Sequence, residues 1–356
     1  LFYTNSVAVK MLPFDNKNEF QVVIDMDEGT TLERTAVVAQ EIAQYLSNVP
    51  EVVDYQNYVG TSAPITFNGL VRHYDVRSGS NVADIQVNLL PKAERKDQSH
   101  DIVKRIREDI QTIGDKYGAN IKLVEVPPGP PVLSTLVAEI YGPNYEDQIK
   151  VAAQVKEILE NTDDVVDVDW MVEADQTEYT FEIDRERSML NGIAPAQLVG
   201  NLTYLLREVP ISHLYDETAH EQIGIVMALD EHEKSSIEEI KELSIKNNRG
   251  ENVPLANLIK VSEKKAEKTI YRKDQNRVVY VLADMAGDLE SPAYAILGME
   301  EKLKAMDLTQ GYEVNELYMG KIKDERNFTV KWDGEWQITL EVFRDLGAAF
   351  LIVILV

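Results

Sequence analysis

An internal repeat constrains the fold of this chain more strongly than any other feature of its sequence. A shift of 113 residues superposes segment 38–54 on segment 151–167 without a gap. Each segment contains an amphipathic helix followed by an apolar strand, and seven positions are identical, namely Val38, Ala39, Leu46, Asn48, Val52, Val53 and Asp54 of the earlier copy. Duplication of one βα module explains these identities. Convergence on a common amphipathic pattern is the alternative explanation.

Each copy continues into a longer pattern of strands and helices. The first copy adds a strand at 84–90, a helix at 98–117 and a strand at 120–126. The second copy adds a strand and a helix at 179–184 and 194–206, and its remaining elements follow late, at 278–282, 293–306 and 312–317. We therefore predict an α+β chain of tandem ferredoxin-like (βαββαβ) units, the second of them interrupted by a small α+β insert.

The same patterns predict the boundaries of the parts. These are an entry segment at 1–12, a first ferredoxin-like unit at 13–128, a second unit at 129–206 plus 276–328, an insert at 207–275, and an amphipathic segment at 329–356. Between the two units lies a proline-rich run, which favours a stiff extended connector. The connector residues are Pro127, Pro128, Gly129, Pro130 and Pro131.

Both ends of the chain are apolar. Residues 346–356 carry no charge, and a helix of this length would cover about half of a bilayer core of roughly 30 Å. Trp332 and Trp336 lie where an interfacial aromatic belt is expected. We therefore predict that the C-terminal run starts a transmembrane helix and that Leu1, Phe2 and Tyr3 end a preceding one. A buried core helix is the alternative for the C-terminal run.

Composition excludes several classes of function. The chain has 36 Lys and Arg against 61 Asp and Glu, a net charge of −25, so nucleic-acid binding is not expected. The absence of cysteine removes disulfides, thiolate metal sites and thiol nucleophiles. The five histidines lack metal-ligand spacing, and we interpret His100 as a capping or solvated residue. We predict no enzymatic activity, no cofactor and no bound metal.

Several short segments carry a resemblance to a known family. They are Lys10-Met-Leu-Pro-Phe-Asp15, Asp25-Met-Asp-Glu-Gly-Thr-Thr31, Asn191-Gly-Ile193 and Gly250-Glu-Asn-Val-Pro-Leu255. Together with the tandem units and the insert, they resemble the periplasmic loop of a resistance, nodulation and division (RND) efflux transporter. The segment entering the first strand resembles the second half of such a protein, following its seventh transmembrane helix.

This resemblance implies a function and an assembly. The two ferredoxin-like units would be porter subdomains, and the insert would be a docking subdomain. The full-length protein would be an inner-membrane homotrimer driven by proton antiport, with this region in the periplasm. Its expected partners are a periplasmic adaptor (membrane fusion) protein, an outer-membrane channel and a small-molecule substrate.

The resemblance also suggests where cargo passes. The corresponding stretch of the family contains a flexible loop, which here carries Ile65, Phe67, Asn68 and Leu70. Leu136, Ala138 and Glu139 are expected on the opposite wall. Apolar side chains on a loop suit amphiphilic cargo, although an ordinary connector is an open alternative for this stretch. Two other functions also remain open: a Cu/Ag-type heavy-metal exporter and a soluble small-molecule sensor of tandem ferredoxin-like modules.

Overall fold

The computed structural model separates the chain into a larger unit, Leu1–Ala174 with Glu267–Val356, and a smaller unit, Asp175–Ala266. The structure describes residues 15–64, 66–126, 132–207, 209–230, 234, 236–287, 290–306, 308 and 313–355. The Pro/Gly connector at 127–131 therefore lies outside the described residues. The larger unit contains two ferredoxin-like folds, called here the first and the second fold.

The first fold has the predicted βαββαβ order, with one extra short helix. Its elements are β1 (Glu19–Asp25), α1 (Leu32–Leu46), β2 (Val52–Thr61), α2 (Phe67–Arg72), β3 (Ser78–Leu89), α3 (Ser99–Tyr117) and β4 (Asn120–Val124). The sheet order is β2-β3-β1-β4, and every pair is antiparallel. Its core lies between this sheet and the helices α1 and α3, where Phe20, Ile42, Ile85 and Ile106 are buried. The ferredoxin-like prediction for this copy is confirmed.

The second fold opens with the repeated βαβ module. Its elements are β5 (Leu136–Tyr141), α4 (Tyr145–Glu160) and β6 (Val165–Trp170). The start of each repeated helix is capped alike: Thr31 accepts a hydrogen bond from the Arg34 backbone N–H, and Asn144 accepts one from Asp147. Thr31 and Asn144 correspond in the 113-residue alignment. The repeat found in the sequence is therefore a repeat in the structure.

The smaller unit follows β6. It contains β7 (Thr177–Ile183), α5 (Arg185–Leu190), α6 (Pro195–Arg207), β8 (Pro210–Leu214), β9 (Ile223–Val226), α7 (Ile237–Glu242), β10 (Ser244–Lys246), β11 (Asn252–Pro254) and β12 (Ile259–Lys265). The strands form three antiparallel pairs, β7 with β12, β8 with β9, and β10 with β11. A core of its own, which includes Leu198, Ile240 and Leu255, holds the unit together.

The chain then completes the second fold. The elements are β13 (Tyr271–Lys273), β14 (Asn276–Met285), α8 (Pro292–Lys304), β15 (Val314–Leu317), β16 (Phe328–Gly334) and α9 (Glu335–Leu355). The strands β6, β14, β5 and β16 are neighbours in that order and antiparallel, as in the first sheet, and β15 lies parallel to β16 at the edge. The core of this fold is separate from that of the first and includes Val155, Ile296 and Trp332.

Two assignments differ from the sequence prediction. The predicted closing strand at 312–317 corresponds to edge strand β15, and β16 occupies the fourth position because its Phe328, Val330 and Trp332 fill the core. Tyr312 lies outside the described residues. The independent unit begins at Asp175 rather than at residue 207, because β7 pairs with β12 and not with the second sheet.

The C-terminal segment forms one helix. Helix α9 runs from Glu335 to Leu355, so the amphipathic stretch and the apolar run are continuous. Among the described residues, no helix combines the length and the apolar character that crossing a membrane requires.

Replacing the core tryptophan of β16 tests the revised strand assignment. Trp332→Ala should lower the free energy of unfolding by about 3–5 kcal/mol, because it empties a fully buried site. Tyr215→Ala, at a residue 96% exposed, is the control and should change it by less than about 0.5 kcal/mol. Urea titration followed by circular dichroism measures both. Equal effects would rule out β16 as a core strand.

Candidate functional site at the seam between the two folds

The contact between the two folds is made largely by charged side chains, and we call it the seam. Helix α3 carries one stripe of it, at His100, Lys104, Arg107 and Gln111. Their spacing of four, three and four residues places the side chains on one face of the helix. Every member of the stripe contacts a residue of the second fold.

Strand β4 lies beside β6 without forming a continuous sheet. The Asn120 side chain donates to the Val168 carbonyl at 3.1 Å, and the Leu123 backbone N–H donates to the Asp167 carboxylate at 3.1 Å. The two sheets remain separate, of four and six strands. Hydrogen bonds that involve side chains thus join β4 to β6, in place of the backbone hydrogen bonds that would have made the two sheets continuous.

Lys122 is the buried cation at this junction. Its Nζ lies 2.5 Å from an Asp25 oxygen in its own fold and 2.7 Å from an Asp169 oxygen in the second fold. Burial alone would lower the pKa of Lys122, but the two carboxylates outweigh burial and raise it above its usual range. Lys122 therefore stays charged while 5% of its side chain is exposed.

Asp167 is held in a rare backbone conformation. Its φ of 53° lies in the left-handed region, which Asp tolerates better than most residues. Its carboxylate accepts hydrogen bonds from Arg107 and from the Leu123 N–H, both in the first fold. Burial is the largest influence and raises the pKa of Asp167, although Arg107 acts in the opposite direction. A strained, buried carboxylate that contacts another fold fits a functional position better than a packing one.

The third ion pair joins α2 to β14. The Arg72 guanidinium contacts both oxygens of Asp284, at 2.6 and 3.2 Å. Asp284 also accepts hydrogen bonds from the Ser134 hydroxyl and from the backbone N–H and hydroxyl of Thr135. Burial would raise the pKa of Asp284, but Arg72 and the other donors outweigh burial and hold it well below its usual range.

Residues 66–77, which we call the strap, carry Arg72. A buried carboxylate of β3 binds residues before and at the end of the strap: Asp84 accepts a hydrogen bond from the Ala63 backbone N–H at 2.7 Å and contacts Arg77 at 2.6 Å. Arg77 also contacts Asp25. Asp84 thus holds the two sides of the strap together on the first fold.

His100 closes the far end of the seam. Its Nδ1 lies 2.6 Å from Glu125 of the first fold, and its Nε2 lies 2.7 Å from Glu290 of the second. Lys104 reinforces the contact, since its Nζ donates to the Gly287 carbonyl at 2.6 Å and to Glu290 at 3.0 Å. Burial would lower the pKa of His100, but the two carboxylates raise it to about 9. The interpretation of His100 as a capping or solvated residue was wrong.

The structure gives different locations to the predicted substrate-path residues. Phe67, Asn68 and Leu70 belong to α2, and Leu70 is 57% exposed; Ile65 lies outside the described residues. Leu136 and Ala138 are fully buried in the second core. The predicted substrate role of all these residues remains a prediction. Their neighbours Arg72 and Thr135 both bind Asp284, whereas Leu70 is exposed and Leu136 is buried in the second core.

Glu139 lies on the other face of β5, away from the helices. Its carboxylate is fully buried and contacts Lys331 at 2.8 Å and also Lys273. Both lysines also approach Asp333, so the cluster pairs two cations with two carboxylates. Burial, the largest influence, raises the pKa of Glu139. Lys273, Lys331 and Asp333, but not Glu139, line a cleft of about 930 Å³ in the larger unit.

The charged seam was not found from the sequence. Charges at 100, 104 and 107 on an amphipathic helix, a lysine within an apolar strand and an aspartate within the repeat were signals for it. Each is ordinary on a solvated surface, so none identifies a buried partner by itself. In the described part of the chain, no group of three His, Asp or Glu side chains could hold a metal ion.

Two ferredoxin-like folds in tandem, with an independent unit inserted into the second, are the fold that this chain shares with solved efflux-pump structures. The chain belongs to the AcrB/AcrD/AcrF family, whose model matches residues 1–331. It is similar to the swarming motility protein SwrC of Bacillus subtilis (strain 168), with 19% identity over 294 residues that cover 82% of this chain and 26% of SwrC.

Solved structures show the same fold. Two crystal forms of a heavy metal efflux pump superpose with TM-scores of 0.70 and 0.71, at 15% and 17% identity, and each match covers 98% of this chain and 34% of the pump. The chain thus spans about a third or less of the relatives it matches.

The histidine contact predicts a pH dependence of stability. Because folding raises the pKa of His100 from 6.5 to about 9, its contribution is complete below about pH 6.5 and disappears as the pH rises through 9. Between pH 6.5 and 9.5 the native chain should therefore lose roughly 3 kcal/mol more than the His100→Gln variant. Urea unfolding at several pH values measures this loss. His220→Gln, at an exposed residue, is the control, and equal pH slopes in the native chain and His100→Gln would contradict the assignment.

Proposed function

We propose that this chain is the periplasmic porter and docking portion of an inner-membrane, proton-driven RND efflux pump, assembled as a homotrimer. The two ferredoxin-like folds act as bodies whose relative motion opens and closes a cleft for cargo. No covalent chemistry is involved: cargo moves because the folds change position, and protonation elsewhere in the protein drives that change.

The observation that carries this proposal is the charged seam between two separate hydrophobic cores. Each fold has a core of its own, so the folds can move without exposing either one. The contacts that join them include the ion pairs Lys122–Asp169, Arg107–Asp167 and Arg72–Asp284. Buried pairs of this kind have discrete made and broken states, because a half-broken pair leaves an uncompensated charge. Discrete states are what an alternating cleft requires.

We propose amphiphilic small molecules as the cargo. The helix α2, which carries Phe67 and the exposed Leu70, adjoins the seam through Arg72. An exposed leucine on the helix that carries a buried arginine suits molecules that have both an apolar and a polar part. Export of a heavy metal is the second candidate, favoured by the similarity to the heavy metal efflux pump structures.

We propose docking to a periplasmic adaptor and an outer-membrane channel for the smaller unit. Its hairpin of β8 and β9 exposes every residue, including the large apolar side chains of Ile211, Leu214, Ile223 and Ile225. A two-stranded hairpin is marginally stable alone in water, and an exposed apolar patch is typical of a protein-binding surface. Both properties support a partner at this hairpin.

Substitution in α2 tests the proposed cargo path. In the full-length transporter, Phe67→Ala should alter the relative export of amphiphilic dyes by roughly threefold or more, because one lost aromatic contact is worth about 1 kcal/mol. Protein abundance should not change. Cellular accumulation of several dyes and of Cu and Zn ions measures the profile.

The matched control is Tyr58→Ala, at an aromatic residue on edge strand β2 of the same fold. Unchanged dye export with altered metal accumulation would favour the heavy-metal candidate. An unchanged profile for dyes and metals alike would count against a cargo path at α2.

A further inference from the structure

Three of the cations that cross the seam, Lys122, Arg107 and Arg72, lie on elements that differ in how firmly the first fold holds them. Lys122 lies on β4, and Arg107 lies on α3, which has 19 residues. Both elements pack directly into the core of the first fold. Arg72 instead lies near the end of α2, a helix of six residues followed by His73 at a φ of 59°. A short helix that stops at a left-handed residue is far less constrained than a core strand or a long helix.

The attachments of the strap also divide into two groups. At its two sides, the strap is tied to the first fold through Asp84, which binds the Ala63 N–H and Arg77. In its middle, Arg72 reaches the second fold and makes both hydrogen bonds to Asp284. Asp84 of the first fold therefore binds residues that flank α2, and Asp284 of the second fold binds Arg72 between them.

Breaking the central contact has unequal consequences for its partners. Without Arg72, Asp284 keeps the hydrogen bonds from Ser134 and Thr135. Without Asp284, the Arg72 guanidinium loses its only carboxylate partner among the described residues and keeps the interaction with Tyr74 of the strap, in a site where 7% of its side chain is exposed. A buried cation without an opposite charge is costly, and the neutral Tyr74 side chain does not supply one, so breaking the pair favours movement of Arg72 together with the strap toward solvent.

We infer that the Arg72–Asp284 pair is a latch that holds the strap on the second fold, while the contacts of α3 and β4 with β6 form a hinge that persists when the latch opens. This inference rests on the proposed cleft motion and identifies the contact that controls it. When the pair breaks, the strap swings about its Asp84 anchor, and α2 leaves the seam together with Leu70.

Distance measurements between spin labels test the latch. The chain has no cysteine, so two introduced cysteines label cleanly. One pair joins Leu70→Cys on the strap to Leu297→Cys on α8, and a reference pair joins Val37→Cys on α1 to Leu297→Cys; all three residues are exposed. The labelled chain is measured at full length by pulsed electron–electron double resonance.

The expected result is a change in one distance only. With Arg72→Gln, the distance distribution of the strap pair should broaden and extend by about 5 Å or more, the scale of a one-turn displacement. The reference pair should not change. Arg105→Gln is the matched control, because it removes an arginine paired with Glu51 and Asp97 inside the first fold, and both distributions should stay native.

Two results would overturn the latch. An unchanged strap distribution with Arg72→Gln would show that the pair does not hold the strap. An equal change in the reference pair would show that Arg72 belongs to the hinge. If Arg72→Gln fails to fold, Arg72→Lys replaces it. Lysine keeps the positive charge but cannot make the bidentate contact with the carboxylate, so the distance distribution of the strap pair should broaden to an intermediate extent. The measurement needs no cargo, so an error in the proposed cargo leaves it unaffected.

Discussion

Burial of charge between two bodies is the constraint on which the rest of this structure depends. Lys122, Arg107 and Arg72 each lose most of their contact with water, and each recovers stability from a carboxylate across the seam. Such pairs contribute little net stability compared with apolar side chains of the same size. Their value lies in geometry, because only a few relative positions of the two folds satisfy all of the charges at once.

The repeat explains why most of the fold could be predicted. An amphipathic helix between apolar strands specifies the same βαβ module twice, and the caps at Thr31 and Asn144 reinforce it locally. The same repeat led to the prediction that the second unit is completed only after the insert. The strand assignment was wrong where two segments could each occupy the fourth position of the second sheet. The run at 312–317 and the run at β16 both alternate, and only the packing of Trp332 into the core decides between them.

The site was far less accessible to sequence reasoning than the fold. Its residues lie far apart in the chain, as with Arg72 and Asp284, and no local pattern joins them. A charged residue on an amphipathic helix has the same appearance whether it faces water or a partner fold. Helix α2 contains three of the predicted substrate-path residues and also Arg72, and the substrate role of those three residues remains a prediction. The seam itself became visible only with the tertiary structure.

Each of the two sheets carries a buried lysine on its fourth strand, and the two lysines have different partners. Lys122 on β4 and Lys331 on β16 both point away from the helices, each between two core residues. In the earlier copy the ammonium group binds a carboxylate of the neighbouring body, and in the later copy it binds Glu139 beside an open cleft. Lysines at corresponding positions of the two sheets thus have two different uses, so equivalent positions within a single polypeptide are a poor guide to each other's purpose.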